Sequence, residues 1–101
     1  MKRITEQCDK YGIFRSLPIK KNNLGDKKDT VLNYMSNRKF AIEASTAIIH
    51  DFIAGIDNPD YCCIRYADAK YEWTSNDIYY IEKYNMEISK DFVSSIMNKT
   101  V

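Results

Sequence analysis

The sequence has few of the residues that build catalytic and metal sites. Its 101 residues include one histidine, three glycines and three cysteines. With His50 alone there is no histidine pair for zinc and little basis for a Ser–His–Asp triad, and three isolated glycines form no phosphate-binding loop. Cys62 and Cys63 are adjacent, which is poor disulfide geometry, and Cys8 is far away in sequence. We therefore expect reduced thiols, no catalytic residue, no metal and no cofactor.

Long hydrophobic runs are also missing. No apolar stretch approaches the about 20 residues of a membrane span, and the charged start of the chain is not followed by the apolar segment of a secretory signal. Apolar residues make up 45% and charged residues 29%, as in ordinary globular proteins. These features predict one cytoplasmic domain over residues 1–101, with 1–26 partly loop-like.

The net charge of +1 hides a strong asymmetry along the chain. Residues 1–42 carry ten lysines and arginines against four acids, whereas residues 43–101 carry five against ten. The first part therefore has a charge of +6 and the second a charge of −5. Such a chain could present a basic surface to nucleic acid or an acidic surface to a basic protein, or both sets could simply solvate the surface.

The first third of the chain predicts two helices separated by a loop. Ile4 and Cys8 have helical spacing in a short helix over 3–11. Residues 15–28 contain proline, asparagine and glycine and are typical of a loop. A second helix is predicted over about 27–37, with aspartates available to cap its start.

The central part predicts strands. Alternating apolar residues over 39–44 indicate a half-buried strand. The apolar stretch that follows fits a second strand; a helix over 42–54 is the alternative, but β-branched residues favour strands. This second strand covers 48–53. It is followed by a predicted turn at 56–60 and by a hairpin whose arms are 61–66 and 70–74.

The C-terminal part predicts two more helices. Ser75 is a suitable N-cap for a helix over about 76–84, Asp77 suits its first turn, and Asn85 can end it. A last helix starts after Ser89 and buries an apolar stripe. The predicted fold is therefore α+β: a small antiparallel sheet of three to four strands packed against helices.

Aromatic residues are concentrated in the acidic half. Seven fall within 24 residues: Tyr61, Tyr66, Tyr71, Trp73, Tyr79, Tyr80 and Tyr84. We assign Trp73 and Tyr71 to the core. One helix and one hairpin offer too little space for the rest, so at least two of the remaining tyrosines at 66, 79, 80 and 84 are predicted at an interface. Tyrosine suits protein interfaces because it combines a large apolar ring with a polar tip. A nucleic-acid platform would instead interleave aromatics with lysine and arginine.

Three segments resemble small bacterial immunity proteins that are paired with polymorphic toxins of the contact-dependent growth inhibition type. They are 51–55 (DFIAG), 66–85 (YADAKYEWTSNDIYYIEKYN) and 91–93 (DFV). The resemblance covers roughly the C-terminal half and the unit around 30–44. Ala54 stands where threonine is expected, and Ala69 stands where glycine is expected. Neither departure affects a catalytic group.

The resemblance implies a non-enzymatic inhibitor that binds the toxic domain of a delivered effector, often a nuclease, and occludes its active or substrate-binding site. Charge and aromatic content place the toxin contacts in the second half of the chain. The alternative is a small nucleic-acid-binding regulator that uses the basic N-terminal half, but no helix-turn-helix pattern supports it. The candidate toxin-binding residues are Asp57, Asp60, Asp68, Glu72, Tyr79, Tyr80, Glu82 and Tyr84.

Overall fold

The computed structural model describes residues 1–99, which form a four-stranded sheet with helices packed against it. Helix accounts for 32% and strand for 33%, which confirms the predicted α+β class. Short 3-10 turns precede α1 and β2. In chain order the elements are β1 (Lys2–Arg3), α1 (Lys28–Met35), β2 (Ala41–Asp51), β3 (Ile56–Ala67), β4 (Tyr71–Thr74), α2 (Ser75–Tyr84) and α3 (Lys90–Lys99).

The strands lie in the order β1–β4–β3–β2. β3 runs antiparallel to both of its neighbours, β2 and β4, as predicted. β1 runs parallel to β4, so the sheet is mixed. The β2–β3 ribbon has three register shifts, between Ala41 and Glu43, between Ala44 and Ile48, and between Ile48 and Ile49. β2 is the last strand of the sheet, and its outer edge pairs with no other strand among residues 1–99.

The core is aromatic and centres on Trp73 of β4, which is 1% exposed. Its indole N–H donates to the carbonyl of Met35 in α1 at 2.9 Å. Its ring stacks on Tyr66 of β3 and contacts Phe92 of α3, with centroids 6.0 and 5.2 Å apart. Tyr71 is also buried, so both core assignments are confirmed, and Trp73 joins two strands to two helices.

The start of α2 is fixed by a carboxylate. The backbone N–H of Thr74 donates to Asp77 at 2.9 Å, so the N-cap is Thr74, one residue before the predicted Ser75. Ser75 instead bonds to β3, where its hydroxyl accepts from the N–H of Ile64 at 3.0 Å. At the other end Asn85 adopts φ 55°, the left-handed conformation that ends a helix, as predicted.

The predicted helix over 3–11 is wrong. Arg3 lies in β1, and its guanidinium binds the buried carboxylate of Asp77 through two bonds of 2.8 and 3.0 Å. Farther along, Cys8 pairs with Phe14 in an isolated antiparallel bridge. The segment is therefore irregular, with bends, one bridge and a turn, and its bonds outweigh the weak helical spacing of its apolar residues.

The predicted turn at 56–60 is also wrong, because β3 already begins at Ile56. The chain reverses just before it, and Gly55 takes the positive φ of 71° that this reversal needs. Pro59 lies inside β3 at a register shift, where the successive β2 residues Ile48 and Ile49 pair with Cys62 and Asn58. Proline is tolerated in a strand at such an irregularity, since no ladder hydrogen bond is lost there.

The predicted strand pair at 39–44 and 48–53 is a single strand, β2, and strand rather than helix is confirmed. The expectation that its first part is half-buried is wrong. All eight residues from 41 to 48 are exposed, including Ile42 at 57% and Ile48 at 47%. These residues form the first part of an edge strand, of which only the far end, at Ile49 and Asp51, is buried.

Candidate protein-binding surface

Tyr61 of β3 connects the sheet to α2. Its hydroxyl donates to a carboxylate oxygen of Glu82 at 3.1 Å. Its ring meets Tyr79 edge-on, with the centroids 5.3 Å apart. Tyr61 is half-buried and Glu82 is exposed, so the phenol is held in a defined orientation while part of it remains available to a partner.

A buried carboxylate organises the neighbouring part of α2. Asp51 at the end of β2 is 0% exposed and accepts hydrogen bonds from the hydroxyls of Tyr79 and Tyr84, at 2.8 and 2.6 Å. Its other oxygen accepts the backbone N–H groups of Ile53 and Ala54, at 2.9 and 2.8 Å. One side chain thus fastens the hairpin turn to α2.

These bonds set the charge state of Asp51. Burial acts to raise its pKa, but the hydrogen bonds from Tyr84, from the turn and from Tyr79 outweigh it and lower the pKa from 3.8 to about 2. The ammonium of Lys83 lies 3.5 Å from the same carboxylate. Asp51 is therefore ionised over the physiological range, and its role is to position Tyr84 rather than to exchange protons.

Four neighbouring side chains form what we call the acidic tyrosine surface. Tyr61 and Glu82 are bonded directly. Tyr84 joins them through Tyr79, whose ring lies between the two, with centroids 5.3 Å from Tyr61 and 6.5 Å from Tyr84. Asp60 is exposed beside Tyr61 in β3 and acts to raise the pKa of that phenol, after burial and Glu82. The surface is defined as Asp60, Tyr61, Glu82 and Tyr84.

Two of the candidate contacts are core residues. Tyr79 and Tyr80 are 3% and 0% exposed, and Tyr66 is buried as well. The prediction that at least two of the four tyrosines lie at an interface is therefore wrong for the folded chain, because only Tyr84 remains partly accessible. The hydroxyl of Tyr80 makes bonds of 3.2 and 3.3 Å to the carbonyls of Gly12 and His50, so burial leaves no polar atom unpaired.

Asp68 and Glu72 lie at the other end of the sheet. Asp68 accepts the N–H groups of Lys70 and Tyr71 and the hydroxyl of Tyr34, and these bonds lower its pKa even though burial acts to raise it. Glu72 is in β4 beside β1. From Asp60 to Asp68 the chain covers roughly 26 Å as a strand. These two acids do not join the acidic tyrosine surface.

Asp57 is separated from it in another way. It pairs with His50, and the two side chains are 2.8 Å apart. His50 lines a groove of about 400 Å³ on one side of the ribbon, whereas the next residue, Asp51, points to α2. Successive strand side chains point to opposite faces, so Asp57 belongs to the face away from Tyr84. Among the predicted contacts, the structure brings together Asp60, Glu82 and Tyr84 only.

Tyr61 is the contact that the sequence-based prediction missed. It was part of the aromatic cluster, but nothing in the sequence links it to Glu82, which lies 21 positions away. A strand-to-helix pair of this kind follows from the packing of β3 against α2.

The groove beside His50 does not have the features of a hydrolase site. It contains Cys63, whose pKa is raised by burial, whereas a nucleophilic thiol needs a lowered pKa. Between residues 1 and 99, no three histidine, cysteine or acidic side chains are placed to share a metal ion. Within the same residues, no helix has the length and apolar character needed to span a membrane.

Two of the ten basic side chains of the first half are engaged within the chain. Arg3 is engaged with Asp77. The ammonium of Lys28 donates hydrogen bonds to the carbonyl of Glu82 and to the side chain of Asn85, at 2.9 and 3.0 Å.

Comparisons with protein-family models, with curated proteins and with solved structures found no match for this chain.

Proposed function

We propose that this protein is a non-enzymatic immunity protein that binds a bacterial toxin domain, a nuclease in the simplest case, and neutralises it in the cytoplasm. The sequence resemblance suggests the class. The observation that carries the proposal is the acidic tyrosine surface, in which Tyr61 and Tyr84 are fixed by carboxylates and flanked by the exposed acids Asp60 and Glu82.

Orientation of the two phenols supports tight binding. A tyrosine that is already held in one rotamer loses little side-chain entropy when a partner covers it. Tyr61 is held by Glu82 and by the ring of Tyr79, and Tyr84 is held by Asp51. Large aromatic side chains fixed in this way are the usual energetic anchors of protein interfaces.

The charge of the surface favours a basic partner. A nuclease domain presents cations where it holds the phosphates of its substrate, and exposed carboxylates accelerate the capture of such a domain. Asp60 and Glu82 provide this charge on either side of Tyr61. Inhibition by occlusion follows, because a protein that covers the substrate-binding cleft needs no chemistry of its own.

The test is co-expression with the toxin domain encoded beside the gene, together with measured binding rates. Tyr61→Ala removes an anchor, so we expect affinity to fall at least about thirtyfold, through faster dissociation. Asp60→Asn combined with Glu82→Gln should instead slow association and weaken its salt dependence. The charge-matched control is Asp26→Asn with Asp91→Asn, two exposed acids on other elements.

Circular dichroism of each variant separates lost binding from lost folding. We expect cells that express the wild-type protein to survive. Cells that express a variant with Tyr61→Ala, Asp60→Asn and Glu82→Gln together should die. Absence of both protection and a complex with the wild-type protein would refute the proposal. A shift of DNA or RNA at moderate salt in that case would favour the nucleic-acid alternative.

A further inference from the structure

β2 is an unusual edge strand. The eight residues from 41 to 48 are exposed, and the outer edge of the strand is free among the described residues. Edge strands are normally protected by lysines, which make pairing with another strand unfavourable. Here the only charged side chain in that stretch is Glu43, and Arg65 of β3 neutralises it at 2.7 Å.

The strand reads similarly in both directions. Its sequence from 41 to 49 is AIEASTAII, and Ser45 is the middle residue. Three positions from Ser45 on each side stands an isoleucine, Ile42 and Ile48. Next to Ser45 the small residues Ala44 and Thr46 correspond. In an antiparallel pair of identical strands a two-fold axis places residue i opposite its mirror position in the second copy, so this symmetry sets similar residues opposite one another.

We propose that two copies of this chain form a dimer by antiparallel pairing of their β2 strands, with Ser45 at the two-fold axis. In this register Ile42 lies opposite Ile48 of the second copy, and both are about half exposed in the single chain. Glu43 lies opposite Ala47, so the two carboxylates do not face each other. The result is one continuous sheet that runs through both copies.

Charge at the two ends of β2 supports this orientation. Arg38 and Lys39 precede the strand, and both are exposed. At its far end the ribbon carries Phe52, which is 42% exposed, and Asp57, whose side chain is 66% exposed. Antiparallel pairing brings the basic end of each copy beside the tip of the other.

The register shift between Ala44 and Ile48 is compatible with the two-fold axis. It lies at Ser45, Thr46 and Ala47, and the N–H of Ala47 is bonded to the hydroxyl of Ser45. Both copies bend at the same point, so the bend is shared across the axis. The paired stretches are 41–44 of one copy with 46–49 of the other, twice.

The size of the contact sets the expected affinity. A stable interface uses about 20–30 residues on each side, and β2 with its flanking residues provides fewer. We therefore expect a dissociation constant in the micromolar range and a dimer that depends on concentration. Sedimentation velocity should show a species of 11.8 kDa at low concentration. Twice that mass should dominate at about 100 μM, well above a micromolar constant.

Cross-linking tests the register. In a background with Cys62→Ser and Cys63→Ser, Ser45→Cys places two thiols at the two-fold axis, where opposed Cβ atoms lie about 5 Å apart. Mild oxidation should link this variant at least tenfold faster than Asn33→Cys, an exposed residue on α1 that serves as the control. Equal rates for the two variants would overturn the register.

Charge insertion tests the edge itself. Ile42→Lys, and separately Thr46→Lys, should each raise the dissociation constant at least tenfold, whereas Asn33→Lys should leave it unchanged. Circular dichroism of each variant confirms that it still folds. A wild-type protein that stays monomeric at every concentration would overturn the dimer. Because these measurements use the protein alone, they are independent of any toxin.

Discussion

The buried carboxylate of Asp51 should make the stability of this protein fall steeply in acid. Its pKa is about 2 in the folded chain, against the ordinary 3.8. The difference corresponds to about 2 kcal/mol. Between these values the unfolded chain binds more protons, so this contribution is complete above about pH 5 and is lost as the pH falls towards 2.

The substitution Asp51→Asn tests this reasoning. It removes the negative charge that accepts hydrogen bonds from two tyrosine hydroxyls and pairs with Lys83. We therefore expect the free energy of unfolding at pH 7 to drop by about 2 kcal/mol. Tyr84→Phe removes one of these bonds and should cost about 1 kcal/mol. Urea unfolding followed by the fluorescence of Trp73, the only tryptophan, measures both at several pH values.

The matched control is Asp57→Asn, an exposed acid on the same ribbon whose side chain is 66% accessible. It should change the free energy of unfolding by no more than about 0.5 kcal/mol. With Asp51→Asn the difference from the wild-type protein should shrink towards zero as the pH approaches 2. If that difference stayed constant from pH 7 to pH 2, the hydrogen bonds to Asp51 would not favour its charged form, and the argument would fail.

Two further predictions concern the core and the thiols. Trp73→Ala should lower the free energy of unfolding by about 3–5 kcal/mol, measured by circular dichroism. The control Tyr11→Ala, at a residue that is 65% exposed, should change it by less than about 0.5 kcal/mol. Equal values for the two variants would place the indole outside the core. Timed alkylation read by peptide mass should modify Cys62 first, then Cys63, and Cys8 only on unfolding, since burial raises the pKa of both slower thiols. Early labelling of Cys8 would contradict its burial.

Local signals were sufficient to place α2 and β4. The α2 helix has an acidic residue at its start and an asparagine at its end, and both act through bonds within a few positions: Asp77 with Thr74, and Asn85 through its own left-handed backbone. Alternation in β4 likewise placed Trp73 in the core. Short-range chemistry of this kind is visible in a sequence because the partners are close together in it.

The errors arose where the deciding partner is distant. Residues 3–11 do not form a helix, because Arg3 at their start pairs with Asp77, 74 positions away. The chain reverses before Gly55 rather than at 56–60 because Asp51 holds the turn and is itself held by α2. In both cases a buried carboxylate accepts hydrogen bonds from two distant regions of the chain. A local sequence pattern cannot indicate such a pairing.

Two tyrosines that were predicted at an interface are buried, and two isoleucines of the predicted strands are exposed. This reversal bears on where a partner could bind. Tyr79 and Tyr80 could be buried because their hydroxyls found acceptors in Asp51 and in backbone carbonyls. Ile42 and Ile48 lie on the edge strand β2 and are exposed. The two proposed binding surfaces are therefore separate: the acidic tyrosine surface for a basic partner, and the β2 edge for a second copy. Since they share no residue, loss of one by substitution should leave the other intact.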